Sequence, residues 1–288
     1  MNSLRILVTF DGFTMEFQTN SSQKIIKYRN SNRVYLRDPS RPDPAKTILL
    51  QNPIEKFQED LNRIFDHQKS KLNYLDIAVK YMRHTPEYSR ILKFIQQKLV
   101  SRLEPMKVVS LRMSAMDQNQ VLQILGNLDS RKIQEIALQY TLVDAFGGQP
   151  NHLEIDEISK LDQFKNAKKL DLLRFVVNSK IENFVDFEEV KICFANISTT
   201  DMVFLKENFL SADSPMRYFE VHSDIMRNIE LFIRALGQPM FTQYRTGLVW
   251  YFRVPNQPES ILRLENFLHH FVFLREHVSQ VPEWAVIQ

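Results

Sequence analysis

The chain has 288 residues, 44% of them apolar and 21 of them Phe, enough to build a real core and to exclude a disordered protein. No stretch approaches the roughly 18 apolar residues that span a bilayer, and Met1-Asn2-Ser3-Leu4-Arg5 has no apolar signal segment, so neither a membrane anchor nor a secretory route is expected. The net charge of +3 hides an uneven split: residues 1–100 carry 17 Lys/Arg against 10 Asp/Glu, and the remainder 20 against 24.

In chain order, Leu4 to Thr9 and Phe13 to Gln18 alternate apolar and polar residues around Asp11-Gly12, which predicts a β-hairpin. Ile25 to Tyr28 and Arg33 to Leu36 can add strands. The run Asp38-Pro39-Ser40-Arg41-Pro42-Asp43-Pro44 then breaks regular structure, because proline removes donors and fixes φ. Ile54, Phe57, Leu61, Ile64 and Phe65 share one helical face, Leu75 to Val79 reads as a strand, and Ser89 to Val100 is a helix with Ile91, Leu92, Ile95 and Leu99 inward.

From there one spacing recurs: apolar-x-x-apolar-x-apolar, at Val108/Leu111/Met113, Ile133/Ile136/Leu138, Ala167/Leu170/Leu172, Phe187/Val190/Ile192 and Met216/Phe219/Val221, with a weaker copy at Leu72/Leu75/Ile77. The last two positions of each triplet stand two apart, so they share one face of a short strand. Helical stripes separate the copies. Asp117 precedes Val121, Leu122, Leu125 and Leu128; Ile155, Ile158, Leu161 and Phe164 follow Asp156; and Ser198-Thr199-Thr200-Asp201 leads into Met202, Leu205 and Phe209. Helix capping is the expected work of Asp117, Asp156 and Asp201. A looser stretch, Asp144 to Pro150, interrupts the series. Leu248 to Val254 is a strand bounded by Pro255, and Phe271 to Leu274 is strand-like. The pattern predicts an α/β fold, an irregular leucine-rich-repeat-like strand/helix solenoid opened by a β-hairpin. The repeats are uneven, with Leu111, Ile136, Leu170, Val190 and Phe219 spaced 25, 34, 20 and 29 apart.

Signs of catalysis are poor. None of Gly12, Gly126, Gly147, Gly148, Gly237 and Gly247 forms a phosphate-cradling loop, and no Gly-x-Ser-x-Gly elbow exists. Cys193, the single cysteine, falls in an expected buried strand as a structural thiol; it cannot form an intrachain disulfide, and an intracellular setting is expected. His269 and His270 are adjacent and point to opposite faces of a strand, and with His277 they lack the Cys or carboxylate spacing of a metal site. No catalytic residue, cofactor or metal is expected. Two binding surfaces are left. The basic run around Lys24, Lys27, Arg29 and Arg33, with Tyr28 and Tyr35 among them, reads either as an RNA-facing patch or as a solvated edge hairpin. Gln139, Arg174 and Arg217 alternate with buried positions on or beside the repeat strands and are the candidate residues for holding a protein partner.

A family resemblance accompanies these patterns. Val108-Val109-Ser110-Leu111-Arg112-Met113, Val121-Leu122-Gln123-Ile124-Leu125, Leu128 to Ile136 and Leu161 to Leu170 resemble the FTH domain, the F-box-associated domain of a large nematode-expanded family. The most specific stretch is Ile197 to Leu210, where a capped helix carries Leu205-Lys206-Glu207. The tail, with Trp250-Tyr251-Phe252, Val281-Pro282 and Ala285-Val286, and the hairpin Val8 to Phe13 are similar to family members too. The resemblance implies four regions: 1–45, the N-terminal hairpin and Pro-rich break; 46–104, a helical and strand lead-in; 105–225, the FTH domain; and 226–288, a β-rich extension packed on it. It also implies a protein-binding module like the substrate-recognition region of F-box ubiquitin-ligase adaptors, with no catalytic residue on this domain. An F-box would lie ahead of the hairpin, where this chain starts, so contact with a Skp1-type adaptor is not expected from these residues. Nucleic acid is the alternative partner, through residues 24–46.

Overall fold

The computed structural model describes residues 1–9, 11–31, 33–39, 46–49, 52–79, 86–140, 151–225, 229–241, 247–267, 270–283 and 285–288. The loose stretch at Asp144 to Pro150, the centre of the Pro-rich break and His269 lie outside the described residues. Two compact units make up the chain, residues 1–151 with 156–167, and residues 152–155 with 168–288.

The first unit opens with the antiparallel strands β1 (Ser3–Thr9), β2 (Gly12–Gln18), β3 (Gln23–Arg29), β4 (Arg33–Arg37) and β5 (Lys46–Leu49). The expected hairpin turns at Gly12, whose φ of +139° and whose missing Cβ, which would stand 1.9 Å from the Tyr28 carbonyl oxygen, leave room for glycine alone. Next come α1 (Pro53–His67), β6 (Leu72–Val79), α2 (Pro86–Val100), β7 (Val108–Ala115), α3 (Gln118–Leu125) and β8 (Glu135–Tyr140). Strand order is β8-β7-β6-β1-β2-β3-β4-β5, parallel from β8 to β1 and antiparallel beyond. Caps fix where the helices begin. The Asn52 side chain accepts from the Ile54 and Glu55 amides ahead of Pro53, and Asp117 accepts from Gln120 at 2.9 Å.

Parallel register places Leu4, Leu75, Leu111 and Ile136 side by side, and likewise Ile6, Ile77, Met113 and Leu138. All are buried. Their face meets the helices: Phe57 of α1 stacks on Phe13 at 5.2 Å and takes the edge of Tyr28 at 5.4 Å.

The stripe from Ile155 to Phe164 does not form the continuous helix its spacing suggested. A 3₁₀ turn, Ile158–Lys160, ends at Leu161, whose ψ of 138° is extended, and α4 (Asp162–Asn166) begins after it. Apolar residues at a strict interval of three drift around an α-helix of 3.6 residues per turn, so they cannot hold one inward face. The turn has Glu157 at its N-cap and no side-chain cap bond, which corrects the capping role expected of Asp156.

The second unit contains β9 (His152–Glu154), β10 (Lys169–Asn178), β11 (Glu189–Asn196), α5 (Thr199–Leu210), β12 (Tyr218–Ile225), α6 (Ile229–Leu236), β13 (Met240–Phe241), β14 (Leu248–Arg253), β15 (Ser260–Phe267) and β16 (His270–His277). Its strand order is β13-β14-β15-β16-β12-β11-β10, with β9 beside β10; β9 to β12 are parallel, and the rest antiparallel. Ser198 and Asp201 form a reciprocal capping box on α5, so Asp201 caps from inside the first turn. Leu170, Val190, Phe219 and Phe273 are neighbours across the sheet, and Phe273 stacks on Phe209 of α5 at 5.5 Å.

The α/β class is therefore what the chain adopts, and the last two positions of every triplet lie on a strand with a parallel neighbour. Each unit is a mixed sheet, however, rather than a curled solenoid of one repeated unit. Antiparallel ribbons extend both parallel ladders, and β10 reaches β11 through a 3₁₀ turn at Ile181–Phe184 where a repeat would place a helix.

Candidate interaction surface

The residue between the last two apolar positions of each triplet turns to the sheet face away from the helices. In the first unit these are Asp76, Arg112 and Ala137, neighbours in register, with Arg5 of β1 next in line. In the second they are Asp171, Lys191 and Glu220, again neighbours. Charge alternates along both rows, as opposite charges across a pair of strands stabilise it.

In the first unit Arg5 Nε lies 3.0 Å from Asp76 Oδ2 and reaches toward Glu16 at 3.7 Å. The Arg112 guanidinium stands over the Tyr74 ring, 5.7 Å from its centroid. Burial drives the Asp76 carboxyl above the usual range, and the Arg5 and Arg112 charges offset this only in part. Asp76 Oδ1, Ser110 Oγ and Arg112 Nε are buried and have no hydrogen-bond partner among the described residues.

A raised folded-state pKa favours folding below the ordinary Asp value, near pH 4, and that advantage is lost as pH rises through the folded value. Asp76→Asn removes the titration and should therefore gain on the native chain with pH. Its melting temperature relative to the native chain is expected to be higher at pH 7 than at pH 4, measured by thermal unfolding at both. A constant difference would mean that Asp76 folds with an ordinary affinity for protons.

In the second unit Glu220 accepts from Tyr218 Oη and pairs with His222 Nε2, each at 2.7 Å, and Lys191 stands 3.9 Å away. Burial opposes its charge, but these bonds outweigh it and hold the carboxyl below the usual range, while burial and the same bond push the Tyr218 hydroxyl up. His222 stacks on His270 at 4.7 Å, and His270 on Phe267 at 5.1 Å. Cys193 sits half-buried on β11, opposite His222 in register. Among the described residues, no group of three or more His, Cys, Asp or Glu could hold a metal ion, and no helix is long and apolar enough to cross a membrane.

Gln139 is half-buried on the first unit's helix-free face, opposite Ser114. Arg174 and Arg217 belong to the second unit. Arg174 is exposed where the β10–β11 register shifts between Asp171 and Val176. Arg217 is exposed just ahead of β12, its amide donating to the Glu188 carbonyl at 2.8 Å. Of the basic residues, Lys27, Arg29 and Arg33 share a face, whereas Lys24 has the opposite parity. Tyr28 is buried, its hydroxyl donating to Asp60 at 2.8 Å, and so is not part of that patch. The charged rows were missed from sequence, although their signal was present: a charge or small residue held between two apolar residues in every copy.

Two units with parallel ladders, helices on one face and a polar, partly buried face opposite define a mixed α/β chain. A family model described as the FTH domain matches residues 89–232, half of the 288-residue chain. The chain belongs to the FTH domain family. No curated protein and no solved structure matches it.

Proposed function

We propose that this chain is a non-catalytic protein-binding module, and that the helix-free face of β1, β6, β7 and β8 is its contact surface. One observation carries the reading: the unpartnered Asp76 Oδ1, Ser110 Oγ and Arg112 Nε lie together on that face. Leaving a buried polar group without a bond costs about 1–3 kcal/mol, a cost that donors and acceptors of a partner at this face would relieve. Tyr74 and Arg112 there are of the types that protein interfaces favour, with the Gln139 amide on the same face. Family membership supports a finer reading, selection of the protein that an F-box ubiquitin-ligase assembly modifies. On this reading the partner is a protein of the cell interior.

Capture from cell extract by the native chain and by an Arg112→Glu, Gln139→Glu variant tests the surface. Proteins held by the native chain and released by a variant of unchanged circular dichroism support it. Identical capture by both would overturn it.

A further inference from the structure

The basic ribbon of the first unit offers a second group of residues, on the same helix-free face but on β3 and β4 rather than on β1, β6, β7 and β8. On β3 and β4 the register sets Tyr35 directly opposite Lys27, with Arg33 and Arg37 two residues to either side of Tyr35 on its own strand and Arg29 opposite Arg33. Side chains two apart on a strand, and pairs in register, share one face. Tyr35 is thus ringed by four cations on the face opposite buried Tyr28 and Val34. Lys27, Arg29, Tyr35 and Arg37, with Asp11 at one side, line an open depression of about 550 Å³. Asp11 is bound to Arg29. Among the described residues, no ion pair engages Lys27, Arg33 or Arg37.

Like charges this close repel one another, and nothing in the packing needs them: Lys27 and Tyr35 are half-buried, Arg33 and Arg37 exposed. Their arrangement suits an anion. Three cations and one carboxylate in the lining leave a net charge of +2. A phosphate monoester carries about −1.5 to −2 at neutral pH and offers three acceptor oxygens, which guanidinium groups bind in pairs and the Tyr35 hydroxyl can reach as a further donor.

We propose that this depression binds the phosphoryl group of a phosphorylated serine or threonine on a protein segment. RNA fits the same face less well. A strand of RNA needs a continuous cationic track and several stacking rings. Among the described residues the one ring beside these cations is Tyr35, and the face passes from Lys27 through Thr14 to Leu7 with Glu16 beside Thr14, so a carboxylate interrupts the track.

The test uses the full chain, immobilised, with two degenerate peptide libraries that differ only in a fixed central phosphoserine, and with an oligouridylate at the same ionic strength. The phosphorylated library is expected to be retained at least about tenfold more than its unmodified counterpart, since charge-assisted bonds to phosphate are the strong class. Millimolar inorganic phosphate should compete with it. A Lys27→Gln, Arg37→Gln variant, whose substitutions lie on an accessible face and whose melting temperature serves as the folding control, should hold both libraries equally. Equal retention by the native chain, or a preference that survives in the variant, would overturn the proposal. Tight oligouridylate binding lost in the same variant, without preference for phosphopeptide, would overturn it in favour of nucleic acid.

Discussion

Replacing Phe219 by alanine is expected to lower the unfolding free energy by about 3–5 kcal/mol, the range for emptying a buried Phe site. Phe219 is fully buried near the start of β12, between Val190 and Phe273 in register. Phe273 is pinned in turn by its stack on Phe209 of α5, so the sheet and helix cannot close over the vacated volume without breaking that contact. Denaturant unfolding should show a lower midpoint with an unchanged slope, the mark of lost stability rather than of a changed unfolded state. Lys169→Ala, at an exposed position on β10, is the control and should move the midpoint little. Similar effects at both positions would mean that the ladder of triplets is not the core.

The second large effect is expected at Arg275. Its guanidinium reaches from β16 to the end of α5 and donates to the Phe209, Ser211 and Ser214 carbonyls, the last two at 3.0 and 3.4 Å. Carbonyls at a helix C-terminus have no partner within the helix, so one planar cation serves several at once. Burial, and after it the nearby Arg217 charge, lower the Arg275 pKa, which shows that the fold accepts an unfavourable setting for this charge. Arg275→Ala should cost roughly 2–3 kcal/mol, the scale of hydrogen bonds to a charged group. Arg275→Lys should recover only part, because a compact ammonium cannot span three acceptors. Full recovery by lysine, read from the same unfolding curves, would reduce the contact to charge alone. Arg102 plays the corresponding part in the first unit, donating to the Phe65 carbonyl and, at 2.7 Å, to that of Gln68 at the end of α1.

Both effects rest on features of unequal visibility in the sequence. The triplets could be read because strands buried on one face impose a period of two, and the register confirms that Leu75, Leu111 and Ile136 are laterally equivalent. Asp11-Gly12, Asp117 and Ser198 to Asp201 were legible because turns and caps depend on local chemistry. β15 was not. Its Ile261 and Leu262 are both buried, because Val278, Val281, Ala285 and Ile287 cover the face that would otherwise meet water, and alternation is lost. The Arg275 clamp bridges residues more than 60 apart in the chain, and no local pattern announces it. The polar face was half legible: Gln139 was singled out, yet Asp76 and Arg112, whose meeting depends on the β6–β7 register, were not.

The reading of that face as a protein contact is tested most directly by site-specific photo-crosslinking in cell extract. A photoreactive residue at Gln139 would report the helix-free face, and one at exposed Lys93 on α2 would report the helical side. Discrete protein adducts at position 139 that are absent at position 93 are the predicted result. Adducts of equal yield at both positions, or at position 93 alone, would contradict the assignment of this face as the binding surface.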